Sequence, residues 1–148
     1  MFKVITHPNP ILRQESREIK RDKIFDPKFK KFIKEMTKTM LVKDGIGLAA
    51  PQIGQSKRLF IAVIDGTPQV YINPKITKKS WRKNTMEEGC LSIPGTFAQV
   101  KRPAKIEMEY TNLSGERKKI KATKINARIL QHEFDHLDGV LFIDKIKK

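Results

Sequence analysis

Five consecutive residues, HEFDH from His132 to His136, restrict the architecture more than any other part of this 148-residue sequence. They match the H-E-x-x-H pattern, and because residues four apart lie on one face of a helix, both imidazoles can reach a single ion. Neutral imidazole is a common ligand of zinc and iron. Glu133 follows the first histidine directly, where its carboxylate can act as a general base. We therefore expect a helix that supplies two metal ligands and a base.

A catalytic metal site of this kind needs a third protein ligand and an open position. After His136 the chain offers only Asp138 and Asp144, with no further His or Glu, so the third ligand is expected upstream. The segment EEGCLS at residues 87–92 contains Cys90, the single cysteine. A lone cysteine is more often a small buried core residue. Beside two carboxylates and a glycine, and together with HEFDH, Cys90 becomes the preferred third ligand.

Apolar periodicity predicts two long helices. Residues 26–42 have Asp26 as a capping residue, Pro27 in the first turn, and apolar residues at helical spacing. Those apolar residues are Phe29, Phe32, Ile33, Met36, Met40 and Leu41. Residues 124–138 repeat the pattern, and Gly139 is suited to end the helix. HEFDH therefore lies on the second helix.

The middle of the chain predicts antiparallel strands. The runs LFIAVI and QVYIN flank Asp65-Gly66, a turn signal, and the second run precedes Pro74, so they predict a hairpin. Residues 105–111 alternate in polarity and are expected to pair with a strand around Ile120. Residues 45–54, GIGLAAPQIG, contain too much glycine and proline for a regular helix.

Length and composition indicate one folded unit. Hydrophobic residues make up 39% and charged residues 32% of the sequence, which fits a globular protein, and there is no internal repeat or linker-like stretch. We predict an α+β fold in which residues 1–148 form a single domain. Its antiparallel sheets are expected to pack around the C-terminal helix that carries the HExxH motif.

Charge and hydropathy restrict the environment. The net charge of +15 would attract polyanions, which favours proximity to the ribosome or to nucleic acid, but a lysine-covered solvated surface explains the same charge. No apolar run is long enough for a signal peptide or a membrane span, and one cysteine cannot form an internal disulfide. We expect a cytoplasmic location and no membrane association.

Three segments, in order, resemble peptide deformylases: GIGLAAPQ at residues 45–52, EGCLS at residues 88–92 and QHEFDH at residues 131–136. The opening THPNPILR and the closing HLDGVLFID extend the resemblance over nearly the whole chain. It implies an enzyme that removes the formyl group from the N-terminal formylmethionine of nascent polypeptides and releases formate. Its partners would be N-formylmethionyl peptides, and we expect it to act as a monomer.

The resemblance also implies roles for individual residues. Cys90, His132 and His136 would bind one divalent metal ion, and Glu133 would act as general base and acid. The same donor set accepts Zn²⁺, Ni²⁺ or Co²⁺, but the resemblance implies Fe²⁺ in the active form.

The substrate side of the site follows from the same resemblance. The side-chain amide of Gln52 and the backbone N–H of Leu91 would stabilise the oxyanion of the tetrahedral intermediate. Ile46 and Gly47 match a loop whose backbone pairs with the substrate peptide, and Gly89 matches the opposite side of the cleft.

Other positions support or depart from the family pattern. Arg102 and Asp135 match an ion pair beneath the metal site. Phe97 stands where some members carry a basic side chain, and the chain stops at Lys148, whereas many bacterial members continue into a further helix. A shortened form of the family is therefore expected.

Two other functions are compatible with the residues. An H-E-x-x-H zinc endopeptidase would cleave internal peptide bonds and tolerate loss of the Cys90 thiol. A basic ribosome- or RNA-binding protein would carry an unused metal motif and bind RNA in a salt-dependent way.

Overall fold

The computed structural model describes residues 1–146, which form an α+β fold as predicted. The helices are α1 (Arg21–Ile24), α2 (Pro27–Val42) and α3 (Lys124–Leu137). The strands are β1 (Gly47–Ala49), β2 (Leu59–Ile64), β3 (Thr67–Lys79), β4 (Lys83–Cys90), β5 (Ile93–Pro103), β6 (Lys105–Thr111) and β7 (Arg117–Thr123). Short 3₁₀ helices occupy Pro10–Arg13, Ala50–Ile53 and Phe142–Lys145. Over residues 1–146 no helix combines the length and the hydropathy that crossing a bilayer requires.

The strands form two antiparallel sheets. The larger sheet has the order β1-β2-β3-β6-β7, and β4 and β5 form a separate two-stranded sheet. Two apolar clusters make up the core. One contains Phe60, Tyr71, Met108 and Leu130 and joins the larger sheet to α3. The other contains Ile33, Met36, Leu48 and Ile61 and joins it to α2.

Helix α2 forms as its capping signals predict. It begins at Pro27, and the Asp26 carboxylate accepts a hydrogen bond of 2.9 Å from the backbone N–H of Lys28. Most of the predicted apolar face is buried or partly buried, but the assignment of Leu41 to that face was wrong, because 49% of this residue is exposed. Leu41 follows the fully buried Met40, and successive helical positions differ by about 100°, which turns Leu41 towards solvent.

Helix α3 is buried on two sides. It ends at Leu137, one residue before the predicted end, and Gly139 then adopts a left-handed conformation with φ of 73°. Its apolar side faces the larger sheet, while its polar side faces the β4–β5 hairpin. The polar residues buried on α3 are Arg128, Gln131, His132, Glu133 and His136. This second, polar interface contains the candidate site.

The β2–β3 hairpin confirms the Asp65-Gly66 turn, since both residues have positive φ, 52° and 81°. Strand β3, however, continues through Pro74 to Lys79, beyond the predicted end. A register shift between Ile72 and Lys75 accommodates the proline. A residue in a bulge makes no hydrogen bond to the neighbouring strand, so the absence of an N–H group in proline costs nothing there. Strand β6 coincides with the predicted residues 105–111, and it pairs with β7 around Ile120 as expected.

Candidate metal centre and substrate cleft

Cys90 and the two histidines of α3 meet at the interface between α3 and the β4–β5 hairpin. Cys90 is the last residue of β4, and its Sγ lies 3.4 Å from His136 Nε2. One ligand atom from each of Cys90, His132 and His136 lies within 4.8 Å of the others. The three residues singled out in the sequence therefore form one candidate metal-binding triad.

Glu88 orients the first histidine of this triad. Its Oε1 lies 2.8 Å from His132 Nδ1, and since a carboxylate only accepts hydrogen bonds, Nδ1 is the protonated nitrogen. The other ring nitrogen, Nε2, is therefore the one that would bind a metal ion. A carboxylate behind a histidine is the usual support of a metal-binding imidazole.

Glu88 is also the centre of a buried ion cluster. Arg102 donates two hydrogen bonds to it, of 2.6 and 3.0 Å, and Arg128 donates one of 2.7 Å. Arg102 also donates to Asp135 at 2.7 Å, which confirms the ion pair expected beneath the site. Sequence reasoning missed the roles of Glu88 and Arg128. Glu88 stands two residues before Cys90, and Arg128 stands one helical turn before His132, which is the signal that could have indicated both.

Glu133 is buried beside the triad. Its Oε2 lies 3.9 Å from His132 Nε2, while its Oε1 has no hydrogen-bond partner within residues 1–146. The backbone of Gly47 lies directly against this carboxylate, and a Cβ at Gly47 would lie only 2.7 Å from the Glu133 Cδ atom. A buried carboxylate oxygen without a partner is suited to bind a small polar molecule in the cleft.

The surroundings shift the pKa of several titratable residues at the triad. Burial alone would lower the pKa of His132, but the charge of Glu133 and the hydrogen bonds with Cys90 and Glu88 raise this pKa to about 10, so a metal ion at Nε2 would have to displace the second ring proton. Burial raises the pKa of Glu133 to about 7, although the nearby His132 favours its carboxylate form. Burial lowers the pKa of His136 well below the usual value, so its imidazole is neutral. Hydrogen bonds from His132 and Arg102 outweigh burial and hold the pKa of Glu88 well below its usual range.

Gln52 is held with its amide nitrogen towards Cys90. The side-chain oxygen accepts a hydrogen bond of 2.8 Å from the backbone N–H of Ala49, so the orientation of the amide is defined. The nitrogen lies 3.0 Å from Ser92 Oγ and 3.5 Å from Cys90 Sγ. Gln52 is thus a fixed donor at the edge of the triad.

The triad opens into a cavity of about 1000 Å³. The predicted substrate-binding residues Ile46, Gly47 and Gly89 all line it, and so do the predicted catalytic residues and two of the candidate ligands: Gln52, Leu91, Glu133, Cys90 and His132. Apolar side chains of Ile93, Ile125 and Ile129 form part of its wall. Phe97, which is 67% exposed, lies at the rim with its ring against Gly89. The cavity can therefore accept a peptide with an apolar side chain.

The donor set fits a transition metal ion. One sulfur and two imidazole nitrogens match the preferences of Zn²⁺, Fe²⁺, Co²⁺ or Ni²⁺ more closely than those of Mg²⁺ or Ca²⁺. The orientation of His132 by Glu88 and the burial of His136 keep these donors in position. Three protein ligands leave a position for water or substrate.

Comparison with known proteins identifies relatives of the whole chain. The polypeptide deformylase family model matches residues 1–148. A peptide deformylase of Pseudothermotoga lettingae is 46% identical over 138 residues, which cover 93% of this chain and 78% of that protein. The crystal structure of peptide deformylase from Thermotoga maritima has a TM-score of 0.95 at 39% identity and covers 100% of this chain and 99% of that one. A Met-Ala-Ser-bound class I type b peptide deformylase from Acinetobacter baumannii has a TM-score of 0.95 at 31% identity, covering 99% and 98%.

The fold and the site define a hydrolase with a candidate metal centre of one cysteine and two histidines. The chain belongs to the peptide deformylase family. Its relatives place it in protein biosynthesis, in the N-terminal processing of nascent chains.

Proposed function

We propose that residues 1–148 act as one catalytic domain that hydrolyses the N-formyl group of N-terminal formylmethionine in a metal-dependent reaction and releases formate. The observation that carries this proposal is the convergence of Cys90, His132 and His136 next to the buried Glu133, at the end of the large cavity. The Met-Ala-Ser peptide named for the Acinetobacter baumannii structure has the composition of a deformylated product, which supports the substrate class.

Cys90, His132 and His136 hold the metal ion. When bound, a divalent cation supplies Lewis-acid chemistry, which polarises a carbonyl and lowers the pKa of water. Glu88 keeps the His132 ring in the ligating orientation through the Nδ1 hydrogen bond. Ferrous iron is the proposed native metal, and the same donor set could also accept Zn²⁺, Ni²⁺ or Co²⁺.

Glu133 moves the proton. Water adds to the formyl carbon and transfers one proton to Glu133, whose Oε1 needs a partner in the cleft. The bond between the formyl carbon and the amine nitrogen then breaks, and Glu133 returns the proton to the departing amine. The other product leaves as formic acid, which keeps the second proton of the water and loses it to solvent to become formate.

Gln52 and Leu91 stabilise the negative charge that develops on the formyl oxygen. The amide of Gln52 is already oriented by Ala49, so little reorganisation is needed during the reaction. The substrate backbone pairs with Ile46 and Gly47 on one side of the cleft and with Gly89 on the other, by strand addition. The enzyme is proposed to work as a monomer in the cytoplasm, close to the ribosome.

Formate release from formyl-Met-Ala-Ser under nitrogen tests this proposal. Glu133→Ala should retain the metal but reduce kcat by at least about 100-fold, because the proton carrier is lost. Cys90→Ala should lose the metal as well as the activity. Glu18→Ala, which removes an exposed carboxylate that does not line the cavity, is the matched control and should retain both. Normal turnover by Glu133→Ala would refute the assigned role.

Metal identity is tested with apoprotein reconstituted under nitrogen. The Fe²⁺ and Ni²⁺ forms should release formate faster than the Zn²⁺ form at equal occupancy. Equal or faster turnover with Zn²⁺ would contradict the assignment of iron.

A further inference from the structure

A second cavity, of about 520 Å³, is surrounded by lysines. Its lining includes the side chains of Lys79, Lys83, Lys101 and Lys145. These lysines come from β3, β4, β5 and the last 3₁₀ helix, so the fold collects them from four separate elements. The hydrolytic mechanism uses none of these four residues.

The charge of this lysine cavity is largely uncompensated. Its single lining carboxylate, Asp135, is already paired with Arg102 at 2.7 Å and with Lys145 at 3.3 Å. Within residues 1–146, no carboxylate lies within 4.0 Å of the amino groups of the other three lysines, Lys79, Lys83 and Lys101. Three unpaired ammonium groups around one cavity attract a polyanion.

An exposed tryptophan lies one residue along the chain from the lining of the lysine cavity. Trp81, the single tryptophan of the sequence, is 93% exposed and directly follows Ser80, which lines the cavity. Its turn is anchored, because Ser80 and Lys105 exchange two hydrogen bonds, of 2.9 and 3.0 Å, and the Ser80 hydroxyl donates to the Arg82 carbonyl at 2.7 Å. A fixed backbone thus presents a large aromatic ring to solvent among basic residues.

We propose that the lysine cavity and Trp81 form a binding site for single-stranded RNA. Phosphates of the strand would bind at Lys79, Lys83 and Lys101, and an unpaired base would stack on the Trp81 ring. A small anion would contact only the lysines, whereas a nucleic acid strand would contact both the lysines and the exposed Trp81 ring. The choice of RNA among polyanions rests on the proposed function, because that function places the enzyme at nascent chains near the ribosome. The inference goes beyond the proposed hydrolysis and uses none of its catalytic residues.

The fluorescence of Trp81 can be used to measure RNA binding directly. Titration of the metal-loaded full chain with a short oligouridylate should quench the tryptophan fluorescence, because this single tryptophan is the stacking platform. With a labelled RNA strand, Trp81→Ala should weaken binding about tenfold, within the range found for loss of one stacked base. Trp81→Phe should restore most of the affinity.

The contribution of the lysines is tested with charge-matched variants. The cavity variant combines Lys79→Gln, Lys83→Gln and Lys101→Gln. The control combines Lys28→Gln, Lys30→Gln and Lys34→Gln, which removes three exposed lysines of α2 and the same total charge. Log affinity falls with log salt concentration, and loss of three phosphate contacts should make this negative slope shallower by about 2. The control should keep the slope of the parent.

Two results would overturn the proposal. Equal weakening by the two lysine variants would mean that RNA responds only to net charge. Binding of heparin as tight as that of RNA, with the same fluorescence change, would mean that no base stacks on Trp81. Formate release from formyl-Met-Ala-Ser should be unchanged in every variant, so that failure of RNA binding and failure of the hydrolytic function are separate results.

Discussion

Replacing Glu88 with alanine should destabilise the protein more than any other single change of a carboxylate in the described part of the chain. Glu88 is 6% exposed and accepts four hydrogen bonds, two from Arg102 and one each from Arg128 and His132. Removing one partner of a buried ion pair costs about 3–5 kcal/mol. Arg102 would still have Asp135, and Arg128 would still have the carbonyl of Val100, so we expect about 3 kcal/mol.

The same position should control metal affinity. Glu88→Gln keeps the shape of the side chain but removes the charge that holds the His132 Nδ1 hydrogen. Loss of such support typically weakens metal binding by about 10- to 100-fold. The alanine variant therefore reports mainly on stability, and the glutamine variant mainly on the metal site.

Urea unfolding of the metal-free proteins measures the free energy of unfolding of Glu88→Ala. Competition with a chelator measures the metal affinity of Glu88→Gln. Glu87→Ala is the control, since Glu87 is the exposed neighbour on the same strand and should change the free energy of unfolding by no more than about 0.5 kcal/mol. The reasoning would be refuted if Glu88→Ala unfolded at the same urea concentration as Glu87→Ala. Parent-like metal affinity of Glu88→Gln would refute the orienting role.

Three further predictions concern other parts of the molecule. Gly47→Ala should displace the Glu133 carboxylate and lower formate release at least about tenfold with the metal still bound, because a Cβ does not fit there. Asp26→Ala removes the hydrogen bond to the Lys28 N–H and should lower the free energy of unfolding by about 1 kcal/mol in urea. Burial raises the pKa of the Tyr71 phenol, so this group stabilises the fold fully below the unfolded pKa, and stability should decline as the pH rises above about 10. Urea unfolding at several alkaline pH values measures this decline.

Matched variants distinguish these explanations from general damage. For Gly47→Ala the control is its metal content and its free energy of unfolding, which should both stay near those of the parent if only the Glu133 carboxylate is displaced. Asp26→Asn should restore the helix cap. An alkaline stability curve that stays flat above the unfolded tyrosine pKa would contradict the Tyr71 prediction.

The helices were predictable because their signals are local. Asp26 and Pro27 define the start of α2, and Gly139 defines the end of α3, by conformational preferences that need no tertiary information. The HEFDH spacing likewise placed His132 and His136 on one helical face. Their proximity to Cys90 was expected from chemistry and is confirmed by the donor distances.

The β4–β5 hairpin was not predicted, for a physical reason. In β4 only Glu88 is fully buried, and in β5 only Val100 and Arg102 are, so neither strand has the alternating apolar pattern of an ordinary sheet. The side of β4 and β5 that packs on α3 carries charged residues, which form ion pairs with the helix, in place of apolar side chains. Such contacts join residues 33 to 44 positions apart, and no local pattern encodes them.

The net charge was also ambiguous in the sequence. Lysines on a solvated surface explain a charge of +15 without any partner, and the sequence pattern did not indicate a role for the single Trp81. The segment KKSWRK at residues 78–83 already places Lys79 and Lys83 within two residues of Trp81, and the fold adds Lys101 from β5 to the same cavity. The local cluster was thus readable in the sequence, and only its extension to Lys101 needed the long-range packing.

The division of the three candidate ligands between two parts of the molecule has a dynamic consequence. Cys90 belongs to the small β4–β5 sheet, whereas both histidines belong to the helix packed on the large sheet. An ion held by all three would fasten the hairpin to the rest of the chain, so the lifetime of the ion and the opening rate of the hairpin would be linked. Amide hydrogen exchange in β4 and β5 would then record how long the ion stays bound, and a peptide that bridges the cleft would slow its escape without contacting it.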